Sequence, residues 1–309
     1  MARKHRKLAI LAKVETTYGT DSTPTGGANA MLMTDVQIQP LAGEEARRDL
    51  LLPYLGHQGV ELTGDYVSIE GSIEIAGAGA AGDVPAYGAL LRGCGLAETV
   101  NAGTSVVYEP VSAGEEAVSI YFYQDGVRHI ALGARGNVTM SFVPKQIPRY
   151  RFSMMGLLGT ISDTALPTAD VSGFVRPLPV SKAKTTLGLH GVSALIAESV
   201  SIDLGNAVVM RHLIGSESAE MTDRQSTGTA VLEAPLLAAK NWFAAAQART
   251  RDALELVHGG TAGNIVQIDA PKVEVGRPTQ GQTQGIVNYS LPLMLTPDSG
   301  DDEISITVK

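Results

Sequence analysis

The chain has 309 residues, enough for one large domain or two of ordinary size with a buried core. Its 44% hydrophobic and 18% charged residues argue against disorder, and no run approaches the roughly 18 consecutive apolar residues of a membrane-spanning helix. The single Cys94 excludes an internal disulfide, so we expect a soluble protein made in a reducing cytoplasm, without a secretory signal or membrane insertion.

Charge is distributed unevenly, because the first 13 residues carry basic side chains and no acid. Removing the five positive charges of this leader from the formal net charge of -8 leaves the rest of the chain at -13. A body this acidic repels a phosphate backbone, so tight nucleic-acid binding across its surface is not expected. We interpret the leader as an arm that becomes ordered on a partner, the alternative being a small nucleic-acid patch. Its basic residues are Arg3, Lys4, Arg6, Lys7 and Lys13.

Alternating apolar and polar residues predict strands with one wet face along the first half of the chain. These strands cover residues 31–39, 67–75, 118–123 and 138–142. One helix is predicted over residues 84–92. Gln124-Asp125-Gly126 predicts a hairpin turn, because Asp-Gly tolerates the positive φ angles of a tight reversal.

The second half has the same character. Its predicted strands cover residues 199–204, 228–232, 253–257, 265–268, 286–295 and 304–308. A helix over residues 237–250 is predicted from a run of alanines with an apolar stripe that includes Trp242 and Phe243. With 34 glycines and 15 prolines available for turns, the sequence predicts an all-β or β-dominated architecture.

The two halves share an order of motifs that indicates an internal duplication. Gly136-Asn137-Val138 precedes Pro144 with the same eight-residue spacing, from glycine to proline, that separates Gly263-Asn264-Ile265 from Pro271. Upstream, Arg48-Asp49-Leu50 and Arg211-His212-Leu213 each precede a strand that begins with glycine, and then a helix.

The duplication predicts two domains of the same kind. The offset between matching motifs falls from 163 at the arginines to 127 at the Gly-Asn pairs, so the first half carries roughly 36 extra residues. We place this insertion near residues 100–130, a surface linker at residues 161–179, and the domains at residues 1–165 and 166–309.

The motifs that could indicate an enzyme lack the surrounding structure or spacing that such a function needs. Gly77-Ala78-Gly79-Ala80-Ala81-Gly82 matches the dinucleotide-binding pattern, but the strand before it alternates instead of being apolar on both faces. The matching place in the second half has no glycine run, so we favour a flexible loop and keep a nucleotide-dependent enzyme as a remote alternative. The six histidines lack metal-ligand spacing, and the acidic residues 298–303 do not have the spacing of a calcium loop. We expect no catalytic residue, no cofactor and no metal.

Several segments resemble the major tail tube proteins of long, flexible-tailed bacteriophages. They are residues 208–216, Met221-Thr222-Asp223-Arg224, residues 228–235, Ala270-Pro271-Lys272 and the opening at residues 12–21. The resemblance implies a β-sandwich or half-barrel flanked by one helix, with six such domains closing a ring. Two copies per chain then imply a homotrimeric, pseudo-hexameric ring, and stacked rings form the tube that delivers phage DNA.

The same resemblance implies partners and a location. The chain would assemble with itself in the host cytoplasm, function in the virion tail, and work with tape-measure, terminator and initiator proteins. Phage DNA would pass through the lumen without specific binding. An alternative from another class is a different oligomeric β-rich phage tail, connector or binding module. A sugar-binding appendage is disfavoured, because the one tryptophan, Trp242, lies on the apolar helix.

Subunit contacts are predicted on two segments, residues 41–63 and 216–227, which hold the same place in both halves. We predict both to be irregular and to reach neighbouring subunits or the next ring, the alternative being mobile surface loops. The interface candidates on or beside them are Arg47, Arg48, Asp49, Tyr54, Arg211, His212, Glu217, Asp223 and Arg224.

Overall fold

The computed structural model describes residues 2–309 and consists of twenty strands and two short helices. In the first half these are β1 Leu8–Val14, β2 Ala30–Met31, β3 Thr34–Arg47, β4 Val60–Glu74, α1 Gly88–Gly93, β5 Leu96–Asn101, β6 Ser105–Pro110, β7 Val118–Gln124, β8 Val127–Phe142, β9 Arg149–Leu158 and β10 Ser162–Asp163. In the second half they are β11 Thr185–Leu189, β12 Ala197–Asp203, β13 Asn206–Leu213, β14 Ser216–Arg224, β15 Thr227–Glu233, α2 Trp242–Ala248, β16 Arg251–Gly259, β17 Ile265–Val275, β18 Thr279–Thr283, β19 Ile286–Thr296 and β20 Ser305–Val308. The predicted β-dominated architecture is confirmed.

All ten strands predicted from alternation overlap observed strands, while both helices are shorter than predicted. Helix α2 begins at Trp242 because the side chain of Asn241 accepts the backbone N–H of Ala244 and caps the first turn. It ends at Arg249, whose left-handed φ of 52° stops the helix.

The two segments predicted to be irregular are each part of a strand hairpin. Residues 216–227 are mostly β-structure, and the prediction is wrong there, whereas in residues 41–63 it is wrong for 41–47 and 60–63 and correct for the loop 48–59. The outer parts of β3 and β4 pair from Ala42 to Arg47, and β13 pairs with β14 over its whole length. Backbone hydrogen bonds between the strands of each hairpin hold these segments together, although much of their surface is exposed on both faces. Alternation is weak where neither face is buried, so the sequence pattern did not indicate strands there.

A continuous antiparallel sheet of eight strands, here called the central sheet, crosses both halves. Its first seven strands follow the order β3-β4-β9-β8-β12-β15-β19. The eighth position is shared by the end of β17 and by β18, which both pair with β19. The two halves meet where β8 pairs with β12, from Thr139 opposite Asp203 to Phe142 opposite Val200. A second pairing, β6 with β20, also joins the halves.

Each half repeats one strand order. The first half reads β1-β7-β8-β9-β4-β3 and the second reads β11-β16-β17-β19-β15-β12, with antiparallel neighbours throughout. The first half carries an extra hairpin, β5–β6, between α1 and β7, whereas the second passes directly from α2 to β16. Because strands pair across the halves and both contribute to one core, the division into separate domains stays a prediction.

The Gly-Asn pairs that suggested the repeat do not hold equivalent positions. Gly136 and Asn137 lie inside β8, whereas Gly263 and Asn264 lie in the turn between β16 and β17. The position that matches this turn in the first half is Asp125-Gly126, between β7 and β8. The Gly-Asn motif alone, without knowledge of which strands pair, therefore gave the wrong alignment of the two halves.

One face of the central sheet is buried along its inner strands and is partly or fully exposed on the edge segments β3 and β18. Side chains such as Ile73, Phe152, Met140, Ile202 and Leu293 point into a single apolar cluster that spans both halves. The cluster also contains fully buried Trp242 from α2. Burial of this face is the main source of folding free energy, since each large apolar side chain contributes about 1.5–3 kcal/mol.

Two buried histidines are expected to make folding sensitive to acid. Burial lowers the pKa of His190 and of His258 below the ordinary value. As the pH falls, both histidines become protonated near pH 6.5 in the unfolded chain, which is roughly their ordinary pKa. In the folded chain they become protonated only at lower pH. The stability that depends on neutral histidine is therefore complete above about pH 6.5 and is lost below it.

Urea unfolding followed between about pH 7 and pH 5 tests this expectation. The His258→Gln variant should lose less stability over that interval than the parent chain. The exposed His57→Gln variant is the control and should follow the parent. Equal pH slopes for the His258 variant and the parent would contradict the assignment.

Candidate assembly surfaces

The second face of the central sheet, here called the wet face, is mostly polar and runs across both halves. One cross-strand row shows its continuity, because each residue lies opposite the next on the neighbouring strand. The row is Thr34, Ser72, Arg151, Thr139, Asp203, Thr227, Met294 and Glu274.

Charge on the wet face is predominantly negative. Its acidic residues include Asp35, Glu70, Glu74, Asp203, Glu233 and Glu274, and its basic residues include Arg149, Arg151 and Lys272. The two arginines are already paired, Arg149 with Asp35 at 3.1 Å and Arg151 with Glu70 at 2.6 Å. The face therefore offers more unpaired carboxylate than unpaired guanidinium to a solute.

The central sheet has two open edges. Strand β3 pairs with β4 on one side, and residues 276–283 pair with β19 on one side. Among residues 2–309, no strand pairs with the other side of either segment. Open edges expose backbone N–H and C=O groups that can pair with another chain.

Two hairpin arms leave the central sheet at the same place in each half. The first arm, residues 40–66, consists of the outer parts of β3 and β4 and the connecting loop 48–59. The second arm is β13–β14, residues 206–224, with a tight turn at Ile214-Gly215.

The second arm is docked on the first half by partly buried polar contacts. The Asn206 side-chain amide donates to the backbone oxygens of Cys94 (2.7 Å) and Gly136 (3.0 Å). The Arg135 guanidinium donates to Glu220 at 2.7 Å and to the backbone oxygen of Ala219 at 3.0 Å. These contacts fix how the arm lies over β8 and the end of α1.

The first arm ends in an exposed apolar loop. Leu51 and Leu55 have relative exposures of 103% and 102%, and Leu50, Leu52 and Tyr54 beside them are also exposed. The Gln58 side chain holds the loop closed through two hydrogen bonds with the Leu50 backbone, at 2.9 and 2.6 Å. Contiguous exposed apolar side chains of this kind are typical of interaction surfaces.

The interface candidates on the first arm remain available for contacts outside the chain. Arg47, Arg48, Asp49 and Tyr54 are exposed, and none of the three charged residues forms an ion pair within residues 2–309. They lie within or directly before the apolar loop.

The candidates on the second arm have different surroundings. Arg211 and Glu217 are exposed near the tip, and His212 is partly buried, with its Nδ1 3.6 Å from a Glu217 carboxylate oxygen. Asp223 is exposed at the base of the arm. The Arg224 guanidinium is occupied within the subunit by Asp301, Glu303 and the backbone oxygen of Val111. The other eight residues remain the candidates for subunit contacts.

Sequence reasoning missed the residues that fasten the second arm. Arg135, Asn206 and Tyr18 are far apart in the sequence, and the Tyr18 hydroxyl accepts the backbone N–H of Ala219. A charged residue such as Arg135 inside an apolar strand is a weak signal of a buried partner, but it does not indicate which residue that partner is.

The glycine run at residues 77–82 is packed against the second half. The backbone N–H of Gly77 donates to the Asn264 side chain at 2.9 Å, and that of Gly79 donates to the Gly263 backbone oxygen at 2.8 Å. A Cβ atom at Gly77 would lie 2.1 Å from the Gly263 oxygen, so this glycine is required for close backbone packing. The run thus has a structural role where the two halves meet.

A family model described as "Phage tail tube protein" matches residues 6–308, and so spans both halves. No curated protein matches the chain. Within residues 2–309, neither helix is long and apolar enough to cross a membrane, and no group of three or more acidic, histidine or cysteine side chains is arranged to hold a metal ion.

Proposed function

The chain belongs to the phage tail tube protein family, a structural and not an enzymatic family, and on this basis we propose how it builds the tube. Three copies close into a pseudo-hexameric ring, the rings stack, and the resulting tube conducts phage DNA. The observation that carries the proposal is the central sheet, which is continuous across both halves and open at both edges.

The geometry of a closed barrel supports this arrangement. Three copies of the eight-stranded central sheet would form a barrel of about 24 strands. With strands about 4.8 Å apart and tilted by about 40°, the backbone of such a barrel is roughly 48 Å across, wide enough for duplex DNA. Closure would also satisfy the open edges of every subunit.

The wet face is the side of the sheet suited to line the lumen, because the opposite side is the buried core. Its excess of carboxylates would repel the phosphate backbone, and pairing of Arg149 and Arg151 within the sheet limits their contacts with phosphates. DNA could then slide without being held. The tube would act in the virion tail after assembly in the host cytoplasm, with tape-measure, initiator and terminator proteins as partners.

The interface candidates acquire roles in this proposal. Arg47, Arg48, Asp49 and Tyr54 on the first arm, and Arg211, His212, Glu217 and Asp223 on the second, would contact neighbouring subunits within a ring or between rings. Exposed ion pairs contribute only about 0–1 kcal/mol each, so they would set orientation, and apolar contacts would supply most of the affinity.

Electron microscopy of the purified protein tests the proposal. Concentrated protein is expected to form rings with three-fold symmetry and six similar lobes, stacked about 40 Å apart, as strands of ordinary length tilted in a barrel wall imply. Two-fold particles, or filaments without a lumen, would contradict it.

A further inference from the structure

We propose that the seam between subunits copies the seam inside the chain. Strand β3 of one subunit pairs antiparallel with residues 276–283 of a second copy, and the first arm lies across the second half of that copy. The inference rests on the proposed ring and specifies which surfaces close it.

The internal repeat identifies the two edges as partners. Inside the chain, β12 of the second half pairs with the end of β8 of the first half. Strand β3 holds the place in the first half that β12 holds in the second, since they begin the orders β3-β4-β9 and β12-β15-β19. The outer edge of β3 is therefore equivalent to the edge through which β12 pairs with β8, and on β3 this edge is unpaired within the described part of the chain.

The edge at the end of β8, with which β12 pairs, also has a counterpart in the second half. Thr139 of β8 lies opposite Arg151 of β9, and the equivalent backbone N–H of Gly276 donates to Pro292 of β19. Residues 276–279 thus hold the place of residues 139–141, the stretch that receives β12. In this chain that stretch is open.

The repeat also gives the register. Ser201 lies opposite Ser141 in the internal seam. Ser201 and Thr34 hold equivalent places in the repeat, and so do Ser141 and Thr279. The equivalence follows from the residue that each of them lies opposite on the neighbouring strand. We therefore expect Thr34 of one copy to lie opposite Thr279 of the next, with both side chains on the wet face.

The repeat also indicates where the first arm lies on the neighbouring copy. The second arm of the chain covers the end of α1, where Asn206 binds Cys94. Helix α1 is largely buried, whereas α2 buries Trp242 and leaves Phe243 exposed, next to exposed Leu236 and Leu237. The first arm of a neighbouring copy, with its exposed leucines, is chemically suited to cover this surface.

A second copy of the chain is the occupant that the repeat favours. Each chain has one β3 edge and one edge at residues 276–283, so the contact is head to tail and the same operation repeats around a ring. Alternating internal seams and subunit seams, six in all for three chains, would close it.

Cysteine cross-linking tests the register directly. The native Cys94 is buried and should not react. The Thr34→Cys/Thr279→Cys variant, oxidised at high concentration, is expected to give covalent dimers and trimers on a denaturing gel, and no larger species. The Ser141→Cys/Ser201→Cys variant is the internal counterpart and should lose its free thiols without changing mass. The Thr34→Cys/Thr229→Cys variant is the negative control, because Thr229 is on the wet face but away from the edge.

The outcomes separate the seam from the proposed function. Cross-linking at least about ten-fold above the Thr229 control, ending at trimers, supports both. Rings in the microscope without that excess overturn the seam and leave the tube proposal intact. A covalent ladder that continues beyond trimers supports the strand pairing and overturns the three-subunit ring. Protein that stays monomeric and unlinked up to millimolar concentration overturns both.

Discussion

Replacing Leu51 and Leu55 together with glutamate is expected to abolish ring and tube formation while leaving the folded subunit as stable as the parent. Both side chains are fully exposed in the single chain, so folding gains nothing from them. In the assembly they would be buried against a neighbour, where each contributes about 1.5–3 kcal/mol, and burial of a carboxylate there would add a further cost. A loss of at least about 3 kcal/mol per seam weakens association more than about a hundred-fold.

Sedimentation and electron microscopy measure assembly of this variant, and urea unfolding measures its stability. The matched control is Val100→Glu, which places the same charge at an exposed apolar position on the extra hairpin β5–β6. The control should assemble like the parent. Normal tubes from the Leu51/Leu55 variant would show that the first arm is a free surface loop.

Replacing Arg224 with alanine is expected to lower the free energy of unfolding by about 3–5 kcal/mol, because it leaves buried carboxylate without a counterion. The Arg224 side chain is 15% exposed, and that of Glu303, its ion-pair partner, is 8% exposed. Its guanidinium also donates to Asp301 at 2.8 Å and to the Val111 backbone oxygen at 2.9 Å. One side chain thus links the base of the second arm, the approach to β20 and the end of β6.

The same cluster explains the titration of Asp301. A hydrogen bond from Ser112, and then the Arg224 guanidinium, lower the pKa of Asp301 below its ordinary value. The Arg224→Ala variant should therefore raise this pKa toward the ordinary range, which carboxyl NMR titration measures.

Two further variants make the Arg224 prediction specific. Arg47→Ala removes an exposed arginine and should change stability by no more than about 0.5 kcal/mol. The double replacement Arg224→Met/Glu303→Gln removes both members of the buried pair and should recover much of the loss. A loss below about 1 kcal/mol for Arg224→Ala would indicate that water compensates the carboxylates and that the pair is not essential to the fold.

The amino-acid sequence alone determined the β-dominated class and the faces of the central sheet. Alternation is local, since successive side chains of a strand point to opposite faces, and one buried face makes the pattern readable. Residues 67–75 and 286–295 showed it, and they became core strands β4 and β19. The resemblance to tail tube proteins rested on equally local segments, and the family match confirms it.

Only the tertiary structure decided which strands pair, where the arms lie and which charges meet. Strand pairing joins backbone groups that are the same in every residue, so the sequence does not indicate that β8 meets β12. The first arm lacks a buried face along much of its length, and the second arm buries one face only partly, so neither gave a clear periodic signal. Arg224 and Glu303 are 79 residues apart, and nothing in the sequence of either segment indicates that folding brings them together.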